Sequence, residues 1–220
     1  MALISGLSMK PAKARVKQII NVLRKAYPFS RTTLGHKSSF ELLIATILSA
    51  QCTDERVNKI TPLLFKKYKG PSGFARAKQK ILKKEIYSIG FYRNKSKNII
   101  NTSKMIMNKF NGQPPDSMSE LLTLPGVARK TANIVLSNSF KIAEGIAVDT
   151  HVKRLSARLG LSRQKNPDKI EKDLMKIIPR NHWLDFNHLL VDHGRKICTA
   201  RKPLCPQCPI KQLCPSAGKL

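Results

Sequence analysis

Acidic residues are scarce in this chain: Asp and Glu number 13 against 41 Lys and Arg, leaving a formal charge of +28 over 220 residues. That excess exceeds what solubility requires and has the sign that attracts a polyanion, so nucleic acid is the leading partner, with a surface of solvated lysines as the plainer reading. Long apolar runs are missing. None reaches the roughly 18 residues of a spanning helix, and the basic stretches lack the Trp and Phe face of an interfacial helix, which argues against a membrane partner. The opening MALISGLSMK is too short in apolar residues for a secretory signal, so a reducing intracellular compartment, the cytoplasm, is expected. Cysteine is rare over the first 197 residues, where only Cys52 occurs, read as a small core residue. Sustained strand alternation and internal repeats are also absent.

Apolar residues recur instead at helical spacing, and the chain reads as all-α. The clearest segments are Arg15 to Ala26 (Val16, Ile19, Ile20, Leu23), Phe40 to Ala50, Ser96 to Phe110, Lys130 to Ser137 and Trp183 to Lys196. A chain of this length forms one large domain or two small ones sharing a cleft. Asn111 to Ser117 is a Gly and Pro turn, and Ser117 or Ser119 caps a short helix before Leu124. Lys141 to Ile146 reads as the domain hinge, and the segment from about Arg31 to Phe40 as a second crossing.

Two motifs carry the chemistry. LPGVARKTAN, from Leu124 to Asn133, places a glycine turn before a helix with a lysine in its first turns, and VDTHVKR, from Val148 to Arg154, places Asp149 nineteen residues after Lys130. Gly126 permits a backbone that a side chain would penalise, so amides at the helix start can turn toward a phosphate. Lys130, near the positive end of a helix dipole, is positioned to lose its proton more readily than a free lysine, as a nucleophilic amine must. Asp149 is suited both to handling protons and to capping the helix Thr150 to Leu159.

Cys198, Cys205, Cys208 and Cys214 lie within 17 residues, separated by six, two and five. Four thiolates on one short loop can surround one centre, and the spacing admits either structural zinc or a [4Fe–4S] cluster. Only Cys205 and Cys208 form a CxxC pair, whereas a zinc ribbon more often has two. Pro203, Pro206, Pro209 and Pro215 stiffen the loop, which would display Arg201 and Lys202 toward phosphates or simply to solvent. His182, His188 and His193 suggest no hydrolytic metal site, since spacings of six and five do not stack on one helix face. His151 either lines a cleft near Asp149 or is a buried structural residue.

LPGVARKTAN, VDTHVKR, LSAQCTD from Leu48 to Asp54 and the six, two, five cysteine spacing together resemble the endonuclease III family of DNA base-excision repair glycosylases, from about Arg15 to Leu213. The resemblance implies two helical domains flanking a DNA-binding cleft. A six-helix domain with a helix-hairpin-helix would span 31–142; a second would combine 1–30 with 143–220 and end in an iron–sulfur loop, 198–214, holding one [4Fe–4S] cluster on Cys198, Cys205, Cys208 and Cys214. The substrate would be double-stranded DNA with damaged bases or abasic sites, bound by a monomer in the cytoplasm at the nucleoid. In such enzymes the lysine matching Lys130 attacks C1′, displaces the base and forms a Schiff base that permits β-elimination of the 3′ phosphate, while the aspartate matching Asp149 assists. Gln51 and Phe91 would fill the gap left by the flipped base, Phe91 alternatively packing in the core. Leu124, Gly126, Ala128, Arg129 and Thr131 of the hairpin, with Arg93 and Lys95, would contact DNA. Ala128 stands where the family usually has a second glycine and demands a negative φ or a small strain.

The reading is thus a bifunctional glycosylase and lyase for oxidised pyrimidines. Three rivals stand beside it. Lys130 and the shortness of the chain beyond Cys214 argue against a mismatch adenine glycosylase. A mismatch thymine or uracil glycosylase differs only in pocket shape, and a metal-stapled DNA-binding protein without catalysis would form no covalent intermediate.

Overall fold

The computed structural model describes residues 10–219, so the opening segment read for a secretory signal lies, but for Lys10, outside the described residues. Those residues form eleven α-helices and no strand: α1 (Ala12–Ala26), α2 (Ser39–Ser49), α3 (Asp54–Lys67), α4 (Gly70–Ala75), α5 (Gln79–Glu85), α6 (Tyr92–Lys109), α7 (Met118–Leu121), α8 (Arg129–Val135), α9 (Thr150–Arg158), α10 (Pro167–Ile177) and α11 (Trp183–Lys196). A π-turn, Leu136–Phe140, extends α8 and ends at Lys141 in left-handed backbone. None of these helices is long and apolar enough to cross a membrane. The all-α reading holds, although α3, α4, α5 and α10 were not among the segments that periodicity picked out.

The chain divides into two compact units, one formed by Thr32–Glu144 and the other by the residues up to Arg31 with those from Gly145. The unit Thr32–Glu144 is built around α2. Its N-terminus is set by a reciprocal cap: Ser38 Oγ accepts from the Glu41 amide at 3.2 Å, and the Glu41 carboxylate accepts from the Lys37 amide at 2.6 Å. Phe40 and every residue from Leu42 to Leu48 are buried, as expected of a helix surrounded on all sides. Phe74 of α4 fills the layer beside it, with the Phe40, Phe65 and Tyr68 rings 5.7, 6.3 and 5.0 Å away. This unit has seven α-helices, one more than the resemblance implies, because α7 is a single turn that Ser117 caps through the Glu120 amide.

The other unit packs α1, α9, α10 and α11 around Ile19, Ile20, Leu23, Leu155, Leu174, Phe186 and Leu190. Asp149 caps α9, and Asn166, followed by Pro167 at the first helical position, caps α10. Arg24 of α1 grips Asp185 of α11 with two hydrogen bonds, 2.6 and 3.0 Å. This ties the first described helix to one more than 150 residues later in the chain.

Candidate active site and metal centre

The hairpin runs from α7 through Leu122–Ala128 into α8. Thr102 Oγ1 donates to the Pro125 carbonyl at 2.7 Å, and the Val127 amide to the Leu124 carbonyl at 3.1 Å, which together hold the turn against α6. Gly126 has φ +81, and a Cβ there would lie 2.7 Å from Asn98 Nδ2 and 3.0 Å from Asn98 Cβ. Both conformation and space therefore demand glycine. Ala128 adopts φ −95 and ψ 170, ordinary extended backbone, so the missing second glycine brings no strain. No side chain caps α8, in contrast to α2, α3, α7, α9 and α10. Lys130 is exposed on its first turn, flanked by the half-buried Arg129 and Thr131. Leu124, by contrast, is 2% exposed within the core, so only its backbone can reach a partner.

Gln51 and Phe91 share a rare feature. They have φ 54 and 59, left-handed backbone that costs a non-glycine residue about 1–2 kcal/mol. Both are exposed, Phe91 at 63%, which overturns core packing for it. The two loops adjoin: a Cβ on Gly90 would lie 3.8 Å from the Gln51 carbonyl oxygen. Lys95 corrects the expectation that it touches DNA. It is 5% exposed, and its Nζ donates to the Leu48 and Ala50 carbonyls at 2.8 and 2.6 Å. Burial holds its ammonium below the usual lysine range. Arg93, two residues earlier, is exposed beside the Tyr92 ring.

In the other unit Asp149 is half-buried, and its Oδ1 accepts from the Val152 amide at 2.8 Å. His151 Nδ1 lies 3.1 Å from the Arg154 guanidinium and packs over Gly194, where a Cβ would come within 2.6 Å of it.

Cys198, Cys205, Cys208 and Cys214 are half-buried and line one cavity with Leu155, Leu159, Ile197 and Ile210. The four side chains are spread around this space. Three arginines hold the loop. Arg158 donates to Cys198 Sγ at 3.3 Å and to the Thr199 and Ala200 carbonyls at 2.7 and 2.9 Å. Arg154 donates to the carbonyls of Gly194 and Cys198, and the buried Arg15 to those of Leu213 and Leu159. Burial pushes the Cys208 and Cys214 thiols up, and the neighbouring cysteines push the same way. Thiolates gathered there would need a positive partner, as the iron of a cluster would provide. The donor set, the enclosed space and the arginine rim fit an iron–sulfur cluster. Arg201 and Lys202 are exposed on the same loop.

Reasoning from sequence missed the arginines and His193. The imidazole of His193 is buried, with Nε2 3.5 Å from Cys208 Sγ and Nδ1 2.9 Å from the Tyr27 hydroxyl. Burial lowers its pKa to about 4, and Tyr27 is pushed up to about 12, chiefly by burial and then by the charges of Cys208 and Asp192. The i, i+4 placement of Arg154 and Arg158 was the available signal, as both fall on one face of α9.

Comparison with known families agrees with this arrangement. Residues 44–180 match the family described as "HhH-GPD superfamily base excision DNA repair protein", which defines the class of protein. Residues 198–214 match the "iron-sulfur binding domain of endonuclease III". The endonuclease III of Synechocystis sp. is 51% identical over 209 residues, 95% of each chain, and that of Bacillus subtilis is 45% identical over 194 residues, 88% of each. A solved structure described as a trapped endonuclease III–DNA covalent intermediate is 44% identical, with a TM-score of 0.90 over 96% of this chain and 99% of that one. The chain belongs to the endonuclease III family. It is a DNA glycosylase and abasic-site lyase of base excision repair and carries an iron–sulfur cluster.

Proposed function

We propose that the protein removes oxidised pyrimidines from double-stranded DNA and cleaves the strand 3′ to the resulting abasic site, with Lys130 as nucleophile. The observation that carries this reading is Lys130 exposed on the first turn of an uncapped helix, directly after the Gly126 turn. Its amine attacks C1′; the glycosidic bond breaks, and the base leaves with its electron pair and takes up a proton. The attached amine gives up a proton and its nitrogen lone pair then opens the C1′–O4′ bond, O4′ leaving as a hydroxyl after taking up a proton. The resulting iminium acidifies the C2′ hydrogens, so loss of one drives the electron pair toward C3′ and expels the 3′ phosphate. Asp149 moves protons and stabilises positive charge at the sugar through the oxygen that does not cap α9.

The hairpin binds the DNA backbone through Gly126, Ala128, Arg129, Thr131 and the main chain of Leu124, with Arg201 and Lys202 as further phosphate contacts. Gln51 and Phe91 enter the stack where the target base leaves it. Their exposed, left-handed placement on adjoining loops supports this role. Cys198, Cys205, Cys208 and Cys214 hold one [4Fe–4S] cluster, a reading supported by four thiol side chains spread around a cavity. The bound cluster supplies iron–sulfur bonds that fix the loop carrying Arg201 and Lys202. The protein acts as a monomer on damaged or abasic duplex in the cytoplasm, at the nucleoid.

Borohydride trapping tests the assignment. With a duplex containing one abasic site, the wild-type chain should form a stable crosslink, and Lys130→Ala should bind the duplex without forming one. A crosslink that persists in Lys130→Ala would remove Lys130 from the nucleophile's role.

A further inference from the structure

Gln51 and Phe91 come from segments forty residues apart in the sequence, yet one side chain joins the backbone next to both. Lys95 lies in the second turn of α6, and its own amide donates to the Phe91 carbonyl at 3.0 Å, closing the first turn of that helix on Phe91. Its Nζ reaches back to the Leu48 and Ala50 carbonyls, the last turn and C-cap of α2, and Ala50 is the residue before Gln51. These acceptors carry the partial negative charge of a helix C-terminus, which suits an ammonium, and neither is a carboxylate.

A core position that required only volume would hold Met or Leu, because burying an ammonium is costly unless its hydrogen bonds are made. What lysine adds here is direction: it orients the end of α2 and fixes where the chain turns into Gln51. The strain at Gln51 and Phe91 persists only if the surroundings hold it, and Lys95 touches both sides.

We propose that Lys95 is a positioning residue for base extrusion, clamping the C-terminus of α2 to the start of α6 so that Gln51 and Phe91 are presented together to the duplex. This rests on the reading of those two residues as the groups that fill the gap.

The test is single-turnover excision of thymine glycol from two duplexes, one with adenine opposite the lesion and one with an abasic spacer opposite. In the second, the lesion leaves the stack without breaking a pair and the side chains that take its place have no partner base to face. Lys95→Met should slow excision from the paired duplex by about tenfold or more and leave the spacer duplex within about threefold, because misplacing a positioning group by an ångström has effects of this order. Lys95→Arg, which keeps a donor for the carbonyls, should restore the paired rate to within about threefold. Equal slowing of both substrates by Lys95→Met, or slowing of neither, overturns the proposal. The double variant Gln51→Ala, Phe91→Ala separates the two layers of inference. If it lacks the paired-against-spacer difference, the reading of those two residues falls and the proposal with it; if it shows the difference and Lys95→Met does not, only the role of Lys95 falls. Should Lys95→Met fail to fold by circular dichroism, Lys95→Gln carries the same comparison. If neither folds, Lys95 is a folding residue and the proposal is overturned.

Discussion

Replacing Gly126 by alanine isolates the contribution of the hairpin turn. At φ +81 the added Cβ meets the left-handed penalty of about 1–2 kcal/mol. It also comes within 2.7 Å of Asn98 Nδ2, 3.0 Å of Asn98 Cβ and 3.1 Å of Asn98 Cγ. Rotation of the amide cannot relieve the contact with Cβ, so α6 or the turn must shift, which adds about 1–2 kcal/mol, as overpacking typically does. Gly126→Ala should therefore lose about 2–4 kcal/mol, read as a fall in Tm on the order of 10 °C. The same variant should bind undamaged duplex more weakly, since the turn aims the start of α8. A double-mutant cycle with Asn98→Ala separates the causes. Removing Nδ2 and Cγ leaves the Cβ contact and the φ penalty in place, so the double variant should recover about 1 kcal/mol of the loss and no more. A Gly126→Ala chain within about 0.5 kcal/mol of wild type would refute the claim that both space and conformation require glycine here.

Asp149 joins a cap to a chemical role, and two substitutions part them. Asp149→Asn retains a capping oxygen and should stay within about 0.5 kcal/mol in urea unfolding, Asp149→Ala should lose about 1 kcal/mol, and both should slow base excision alike; full activity in Asp149→Asn would leave the residue a cap only. Cys205→Ser should remove the visible absorbance of the cluster and expose the 198–214 loop to limited proteolysis, and an unchanged spectrum would exclude Cys205 as a ligand. Lys95 gives a pH signature: its folded pKa lies below the unfolded 10.5, so between the two values the unfolded chain binds more protons and stability rises with pH. Wild type should therefore gain on Lys95→Arg in chemical denaturation as pH approaches 10.5, and parallel curves would contradict the burial of a titrating lysine.

Helices with a strong apolar period were legible beforehand: α1, α2, α6 and α11 fall where Val16, Ile19, Leu23 and their counterparts recur, and α11 matches its expected bounds, Trp183 to Lys196. The caps at Ser117 and Asp149 were legible for the same reason, since each is a contact between residues three apart. The others offered weaker signals. α3 contains Pro62, α4 and α5 span six and seven residues, and α10 shows itself mainly through the Asn166–Pro167 pair at its start. Lys95 was misread because nothing in FYRNK distinguishes a buried lysine from the exposed Arg93 beside it.

Sequence by itself determined what depends on residue type and short spacing: an all-α chain with a strong positive charge, a glycine turn followed by Lys130, and four cysteines close enough along the chain to share one centre. Tertiary structure alone decided which cations are withdrawn from solvent, which arginines hold the cysteine loop and which residues bear strain. Those outcomes turn on partners far away along the chain, Lys95 on carbonyls 47 and 45 residues earlier and Arg15 on a carbonyl 198 residues later. Burial is a property of everything packed around a side chain, and no local pattern encodes it.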